Sequence, residues 1–141
     1  MTEDLPDSVV FDTEPLVAYF CDETGSDAVE TYLTAIEGSV EGYISAVNLA
    51  EVHYVVRAID SKERADTVTT ILEESGLSRV DTGETWALAS ECKSRYGIAL
   101  GDTFAVATAK SVDGTLLVGA DDDYDEITAV PVERFRTEPA V

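Results

Sequence analysis

Four acidic residues lie in parts of the chain whose neighbours favour burial. Asp12 follows the apolar run VVF, and Asp121 comes shortly after the strand-like segment TLLV. Glu51 lies within NLAEV, and Asp102 opens the small-residue segment DTFAVATA. A buried carboxylate without a partner costs several kcal/mol or gives up its charge. Because a hard divalent cation allows several ionised carboxylates to share one pocket, we interpret the four acids as a candidate metal site.

Length and composition predict one globular domain. The chain has 141 residues, and 45% of them are hydrophobic, which is enough for one sizeable core. We therefore expect a single domain over 1–141, with short flexible termini at about 1–7 and 135–141. The chain shows no signal-peptide pattern and no run of the roughly 18 or more apolar residues that a membrane span needs. We expect a cytoplasmic protein without a membrane partner, and reduced thiols at Cys21 and Cys92.

The net charge of −20 is the second informative feature. Twenty-nine acidic residues face nine basic ones, and the acids are spread along the whole chain. Such a surface repels itself in dilute buffer but is screened in molar salt, where the Debye length falls to about 3 Å. We interpret the charge as that of a halophilic protein. The alternative is a cationic partner that the acidic surface attracts, so charge alone does not exclude a nucleic-acid substrate.

Hydrophobic patterns alternate between short strands and helices. Strands are predicted at 9–11, 43–46, 77–80, 115–118 and 129–132. Ser26 is predicted to cap the first of the helices between them and Asp60, three residues before Glu63, to cap a later one, and Trp86 is expected in the core. Pro131 favours an edge position for the last strand. The order predicts an α/β fold, a three-layer α/β/α sandwich whose central sheet is mainly parallel and has about five strands.

This topology gives the four acids a common location. In open α/β sheets, sites form at the carboxyl ends of the strands, near a topological switch point. Asp12 ends the first predicted strand, and Asp121 follows the fourth. Glu51 lies on the helix that leaves the second strand, and Asp102 lies at the start of a helix that can pack closely on the sheet. We expect all four side chains at one edge.

Four segments resemble the acidic motifs of PIN-domain nucleases, in the family's order and near its spacing. They are VVFDT with Asp12, NLAEV with Glu51, ALGDTFAVATA with Asp102, and LVGADDDY with Asp121. The resemblance extends from about residue 9 to residue 132, and the chain is similar in size to the VapC-type toxin ribonucleases of that family. One departure is Gly119, which stands where the family usually has Thr or Ser. Another is the acidic run after it, in which neighbouring acids compete for the fourth role.

The resemblance implies a PIN-like fold and Mg²⁺- or Mn²⁺-dependent hydrolysis of RNA that leaves a 5′-phosphate and a 3′-hydroxyl. It implies Asp12, Glu51, Asp102 and Asp121 as catalytic residues, and the same four with Asp123 as metal ligands. It also implies a homodimer and a VapB-like antitoxin as partners. The residue chemistry agrees, because oxygen-only ligands suit Mg²⁺ or Mn²⁺ and not zinc. Bound metal would polarise the phosphate and lower the pKa of the attacking water.

Other chemistries are limited by what the sequence lacks. His53 is the single histidine, so a two-histidine ribonuclease is excluded and we expect a surface or packed imidazole. The acidic run starts like a calcium loop, but Glu126 replaces the required glycine. Two functions remain open besides the toxin: a PIN-like nuclease in RNA maturation or quality control, and a non-catalytic binding module. Local cations that could contact RNA are Arg57, Arg95 and Lys110.

Overall fold

The computed structural model describes residues 4–139, so the parts of the predicted flexible termini at 1–3 and 140–141 lie outside the described residues. The strands are β1 (Ser8–Phe11), β2 (Glu41–Ser45), β3 (Ser78–Val80), β4 (Thr115–Val118) and β5 (Val132–Arg134). The helices are α1 (Thr13–Phe20), α2 (Ser26–Ile36), α3 (Ala46–Ile59), α4 (Lys62–Glu74), α5 (Trp86–Tyr96) and α6 (Leu100–Val112). Short 3₁₀ turns lie at Thr82–Glu84 and Asp122–Glu126.

The five strands form one sheet in the order β3-β2-β1-β4-β5, and every pair is parallel. Side chains of β1 alternate between its two faces: Val9 and Phe11 enter a core with α1 to α4, and Val10 enters a second core with α5 and α6. The predicted α/β sandwich with a mainly parallel sheet is therefore confirmed. β1 lies at the centre, and the chain leaves it toward β2 on one side while β4 pairs on the other.

The predicted strands differ from the observed ones mainly at the last strand. The fourth strand was placed correctly at Thr115–Val118, but the fifth begins at Val132, so its predicted position at 129–132 is wrong. Pro131 has no N–H to donate, and it enters the sheet only as an acceptor, because its carbonyl oxygen lies 2.9 Å from the Leu116 nitrogen. The edge position that Pro131 favours is confirmed.

Three predicted helix starts are corrected. Ser61 caps α4, its hydroxyl accepting from the Arg64 N–H at 3.1 Å, where Asp60 was expected. Ser26 is the first helical residue of α2, not its cap. Asp102 does not open α6: the helix begins at Leu100, and Asp102 lies in its first turn. In that position its charge still faces the positive end of the helix dipole.

Several side chains lie on the surface. Trp86 is 63% exposed, so its expected place in the core is wrong. His53 lies on the surface of α3, where its Nε2 is 2.8 Å from Asp66, as the surface interpretation predicts.

Cys21 and Cys92 are free thiols. Among residues 4–139, no helix is long and apolar enough to cross a membrane.

Candidate metal centre

Four separate elements bring the predicted acids to one groove at the carboxyl edge of the sheet. Asp12 follows β1, Glu51 projects from α3, Asp102 lies in the first turn of α6, and Asp121 lies in the loop after β4. We call this feature the acid groove. It is lined by these four acids and by Thr13, Glu14, Val17, Tyr54 and Val55. The groove lies beside β1 and β4, where the connections leaving the sheet diverge, which is the usual place for sites in such folds.

Asp12 is the most buried of the acids, with 5% of its surface exposed. Its backbone N–H donates to the Leu117 carbonyl at 3.0 Å, which ties it to the end of β4. The Tyr124 hydroxyl donates to Oδ2 of Asp12 at 2.9 Å. Burial, and then the negative charge of Asp102, raise the pKa of Asp12 from 3.8 to about 7, although the Tyr124 hydrogen bond opposes the rise. In the absence of a cation, this carboxylate is therefore held in an environment that disfavours its charge.

Asp102, Asp121 and Asp123 form a cluster in which one carboxylate oxygen of each lies within 4.8 Å of the others. Burial raises the pKa of Asp102 to about 6; the charges of Asp121, Glu51 and Asp123 add to the rise, and Tyr124 opposes it. Of the three acids that compete for the fourth role, Asp121 and Asp123 are in the cluster, whereas Asp122 between them is not. All three are exposed. Oδ1 of Asp121 also accepts from the backbone N–H of Asp123 at 2.9 Å, which fixes the Asp121 side chain against this turn.

Glu51 is held by two side chains that the sequence did not single out. The Thr13 hydroxyl donates to its Oε1 at 2.7 Å, and Nδ2 of Asn48 donates to the same oxygen at 2.8 Å. Asn48 is fully buried and also donates to the Gly101 carbonyl at 3.1 Å, so it links α3 to the start of α6. A Cβ at position 101 would lie 2.7 Å from Cδ of Glu51. Any larger residue there would displace the carboxylate, so Gly101 allows Glu51 to approach α6.

The loop that carries Asp121 is held from two sides. The Arg134 guanidinium donates to the carbonyls of Gly119 and Asp121 at 2.6 and 3.0 Å. On the other side, Oε2 of Glu14 accepts from the Ala120 N–H at 3.2 Å and from the Arg136 guanidinium at 3.0 Å.

Arg136 is nearly buried and completes this arrangement. Its side chain is 7% exposed, and it also pairs with Glu23 at 3.2 Å. Glu14 is thus a fifth carboxylate at the acid groove, but one whose charge is balanced by a buried arginine. Sequence patterns could not identify the pair, because Glu14 and Arg136 are 122 residues apart.

The side chains fit a divalent cation. The donors are carboxylate oxygens, which suit Mg²⁺ or Mn²⁺. Burial, and after it the charges of neighbouring acids, raise the pKa of Asp12 and of Asp102, and a bound cation would offset both effects. Tyr124, which lies between the two, was missed as a site residue; its position directly after the acidic run was the only available signal.

The three cations predicted to contact RNA do not line the acid groove. Arg95 and Lys110 line a separate groove between α5 and α6, where the Arg95 guanidinium lies 4.9 Å from the ring centre of Tyr96. Arg57 is exposed in the last turn of α3. Of the residues described, none that lines the acid groove is a lysine or an arginine.

Comparisons with known proteins agree with this geometry. The family model of the PIN domain matches residues 9–130. Comparison with curated protein sequences finds no match. Among solved structures, the chain is similar to VapBC2 from Rickettsia felis, bound to a DNA fragment from its promoter, with a TM-score of 0.69 and 20% identity over 90% of this chain and 98% of that one.

Two further structures show the same likeness. VapBC-1 of nontypeable Haemophilus influenzae has a TM-score of 0.69 and 13% identity, over 91% of this chain and 98% of that one. VapC20 of Mycobacterium tuberculosis, described as a toxin that cleaves the sarcin–ricin loop, has a TM-score of 0.66 and 12% identity, over 86% and 98%. At such low identities these structures establish the fold, and the predicted PIN-like architecture is confirmed.

Proposed function

Because the chain belongs to the PIN-domain family, whose model its residues 9–130 match, we propose that it is a metal-dependent endoribonuclease that hydrolyses RNA phosphodiester bonds. One observation carries the proposal: acids from four separate elements converge on the acid groove, and Asp102, Asp121 and Asp123 bring their oxygens within 4.8 Å of one another. A cluster of this kind favours a cation-assisted reaction on an anionic substrate.

Five acids would hold the metal, and four of them would also be catalytic. Asp12, Glu51, Asp102 and Asp121 are the proposed catalytic residues, and with Asp123 they are the proposed ligands of Mg²⁺ or Mn²⁺. The bound metal would polarise the scissile phosphate and favour deprotonation of the attacking water.

The surrounding residues would keep the ligands in place before the cation binds. Thr13 and Asn48 both donate to Oε1 of Glu51, which leaves the other oxygen free of them. Tyr124 orients Asp12 through its hydrogen bond to Oδ2. Preorganisation of this kind lowers the cost of assembling the site, because the ligands do not need to be reordered when metal and substrate bind.

The proposed biological role is that of the toxin in a VapBC-type pair. Its support is the likeness of the fold to VapBC2 from Rickettsia felis, VapBC-1 from Haemophilus influenzae and a toxin–antitoxin complex from Klebsiella pneumoniae. Among the described residues, no lysine or arginine lines the acid groove. An antitoxin segment that carries arginine or lysine would therefore complement its carboxylates. A homodimer of this chain is part of the same proposal.

Cleavage of a defined RNA in molar KCl tests the activity. Mg²⁺ or Mn²⁺ should support cleavage, and EDTA should abolish it reversibly. Co-expression with the product of a small neighbouring gene tests the role: the two should co-purify, and the complex should not cleave. Active nuclease without such an inhibitor would favour a role in RNA maturation, and absence of metal-dependent cleavage would favour a binding module.

A further inference from the structure

The acid groove has an aromatic wall that the proposed chemistry does not use. Tyr54 lines the groove together with Val17 and Val55, and 59% of the Tyr54 surface is exposed. It lies three residues after Glu51 on α3, and this spacing places the two side chains on the same face of a helix. An exposed tyrosine therefore lies next to a proposed metal ligand.

The charge of the protein bears on what an exposed tyrosine in the acid groove could contribute to RNA binding. The net charge is −20, and the described lining of the acid groove includes no lysine or arginine. Contacts from basic residues to phosphates supply most non-specific affinity for nucleic acids, and this lining offers none. Arg136, which lies beside the groove, is already paired with Glu14. Contacts to phosphates would also be weak in molar salt. RNA needs another source of affinity close to the scissile bond.

We propose that Tyr54 is a positioning residue of this site that stacks on a nucleotide base beside the scissile phosphate. This inference rests on the proposed function and assigns one contact to its substrate. Stacking on an aromatic side chain is tolerant of base identity and does not depend on phosphate charge.

The wall also contains two valines, which give the base an apolar surround. Val17 comes from α1 and Val55 from α3, so the wall is formed where these two helices meet. Burial of an apolar base face against them adds a contribution that survives high salt. Tyr54 thus lies between the acidic side of the groove, where the cation would bind, and the apolar side, where the base would bind.

Steady-state cleavage by substitution variants tests the proposal. Tyr54→Ala should raise KM for single-stranded RNA by roughly five-fold to a hundred-fold, since this is the range expected for loss of one stacked base. Tyr54→Phe keeps the ring and should stay close to wild type. Trp86→Ala is the matched control, because Trp86 is similarly exposed, at 63%, but is not among the residues that line the groove.

A second measurement removes the base instead of the ring. An RNA series with one abasic nucleotide at each position near the cleavage site should contain a position where wild-type KM rises and Tyr54→Ala has no further effect. Equal KM for wild type and Tyr54→Ala on every RNA would overturn the proposal, including the case in which Tyr54 serves a protein partner. Failure of the wild type to cleave any RNA would instead contradict the proposed function itself.

Discussion

Gly119 lies directly against the carboxylate of Glu14. A Cβ at position 119 would be 2.5 Å from Oε1 of Glu14 and closer still to Oε2. The space that a side chain at position 119 would fill is therefore occupied by a carboxylate from α1, which accepts from the Ala120 N–H next to it. This hydrogen bond helps to hold the loop that carries Asp121.

Gly119→Ala should consequently disturb the loop that carries Asp121. The new methyl group cannot be accommodated without displacing Glu14 or the loop, and overpacking of this kind costs about 1–3 kcal/mol. We expect a lower free energy of unfolding in urea, and reduced metal-dependent cleavage.

Gly83→Ala is the matched control, because a Cβ there meets nothing within 4 Å. Glu14→Ala is itself destabilising because it leaves Arg136 without this partner, but in a double-mutant cycle Gly119→Ala should cost less in the Glu14→Ala background than in wild type, since that background lacks the carboxylate that the methyl group would meet. If Gly119→Ala and Gly83→Ala unfold at the same urea concentration, the proposed contact between Gly119 and Glu14 is wrong.

Gly101→Ala should separate activity from stability. Gly101 lies in the first turn of α6, and alanine is a better helix former than glycine, so the helix itself should not be weakened. The added Cβ, however, would lie 2.7 Å from Cδ of Glu51 and must displace that carboxylate. We expect weaker Mg²⁺ binding by titration calorimetry and slower cleavage, with a smaller change in thermal stability. A variant with unchanged Mg²⁺ affinity would show that Glu51 does not contribute to the metal site.

The raised pKa of Asp12 predicts a pH-dependent stability without metal. The folded state holds this proton up to about pH 7, whereas the ordinary value is 3.8. Folded protein therefore binds more protons than unfolded protein between these values, and stability falls as pH rises through them. For a rise of three units, ionisation of Asp12 costs the folded state about 4 kcal/mol.

Urea unfolding in EDTA and molar KCl measures this cost, with Asp12→Asn as the reference because it cannot ionise. The variant should become more stable than wild type as pH rises from 5 to 8, and Mg²⁺ should stabilise wild type more than the variant at pH 8. Tyr124→Phe removes the donor to Asp12 and should shift the pH at which Mg²⁺ binds upward. Parallel curves for wild type and Asp12→Asn would contradict the raised pKa.

The net charge of −20 predicts that salt stabilises the fold. Screening of repulsion among acidic groups should raise the melting temperature across a KCl series from dilute buffer to the molar range, with Mg²⁺ held constant. Activity should follow the same trend. A melting temperature that does not change with salt, together with maximal activity in dilute buffer, would contradict the halophilic interpretation and favour a cationic partner.

The sequence predicted the sheet and the common location of the four acids better than it predicted the contacts around them. The prediction of a strand at 115–118 was correct because a continuous apolar run of this length is typical of a buried strand. The locations of Asp12 and Asp121 could be predicted because each residue follows the end of a strand. The predicted start of β5 was wrong because the apolar residues at 129–130 come before Pro131, and the strand begins only after this proline.

The supporting contacts were missed for a different reason. The hydrogen bond from Tyr124 to Asp12 spans 112 residues, and the pairing of Glu14 with Arg136 spans 122, so neither has a local pattern. Trp86 was placed in the core from its residue type alone, and the structure leaves it exposed. Hydrophobicity predicts average burial and does not indicate which particular side chain the fold leaves uncovered.

The most direct test compares RNA cleavage by wild type, Asp102→Asn and Asp122→Asn, purified identically and assayed with Mg²⁺ in molar KCl. Both variants lose one negative charge, but Asp102 belongs to the cluster with Asp121 and Asp123, whereas Asp122 is exposed outside it. We predict that Asp102→Asn loses more than the roughly 10- to 100-fold in activity that changes to outer-shell partners of a metal cost, while remaining folded. Asp122→Asn should stay close to wild type. Full activity in folded Asp102→Asn protein would contradict the assignment of this cluster as the catalytic metal site.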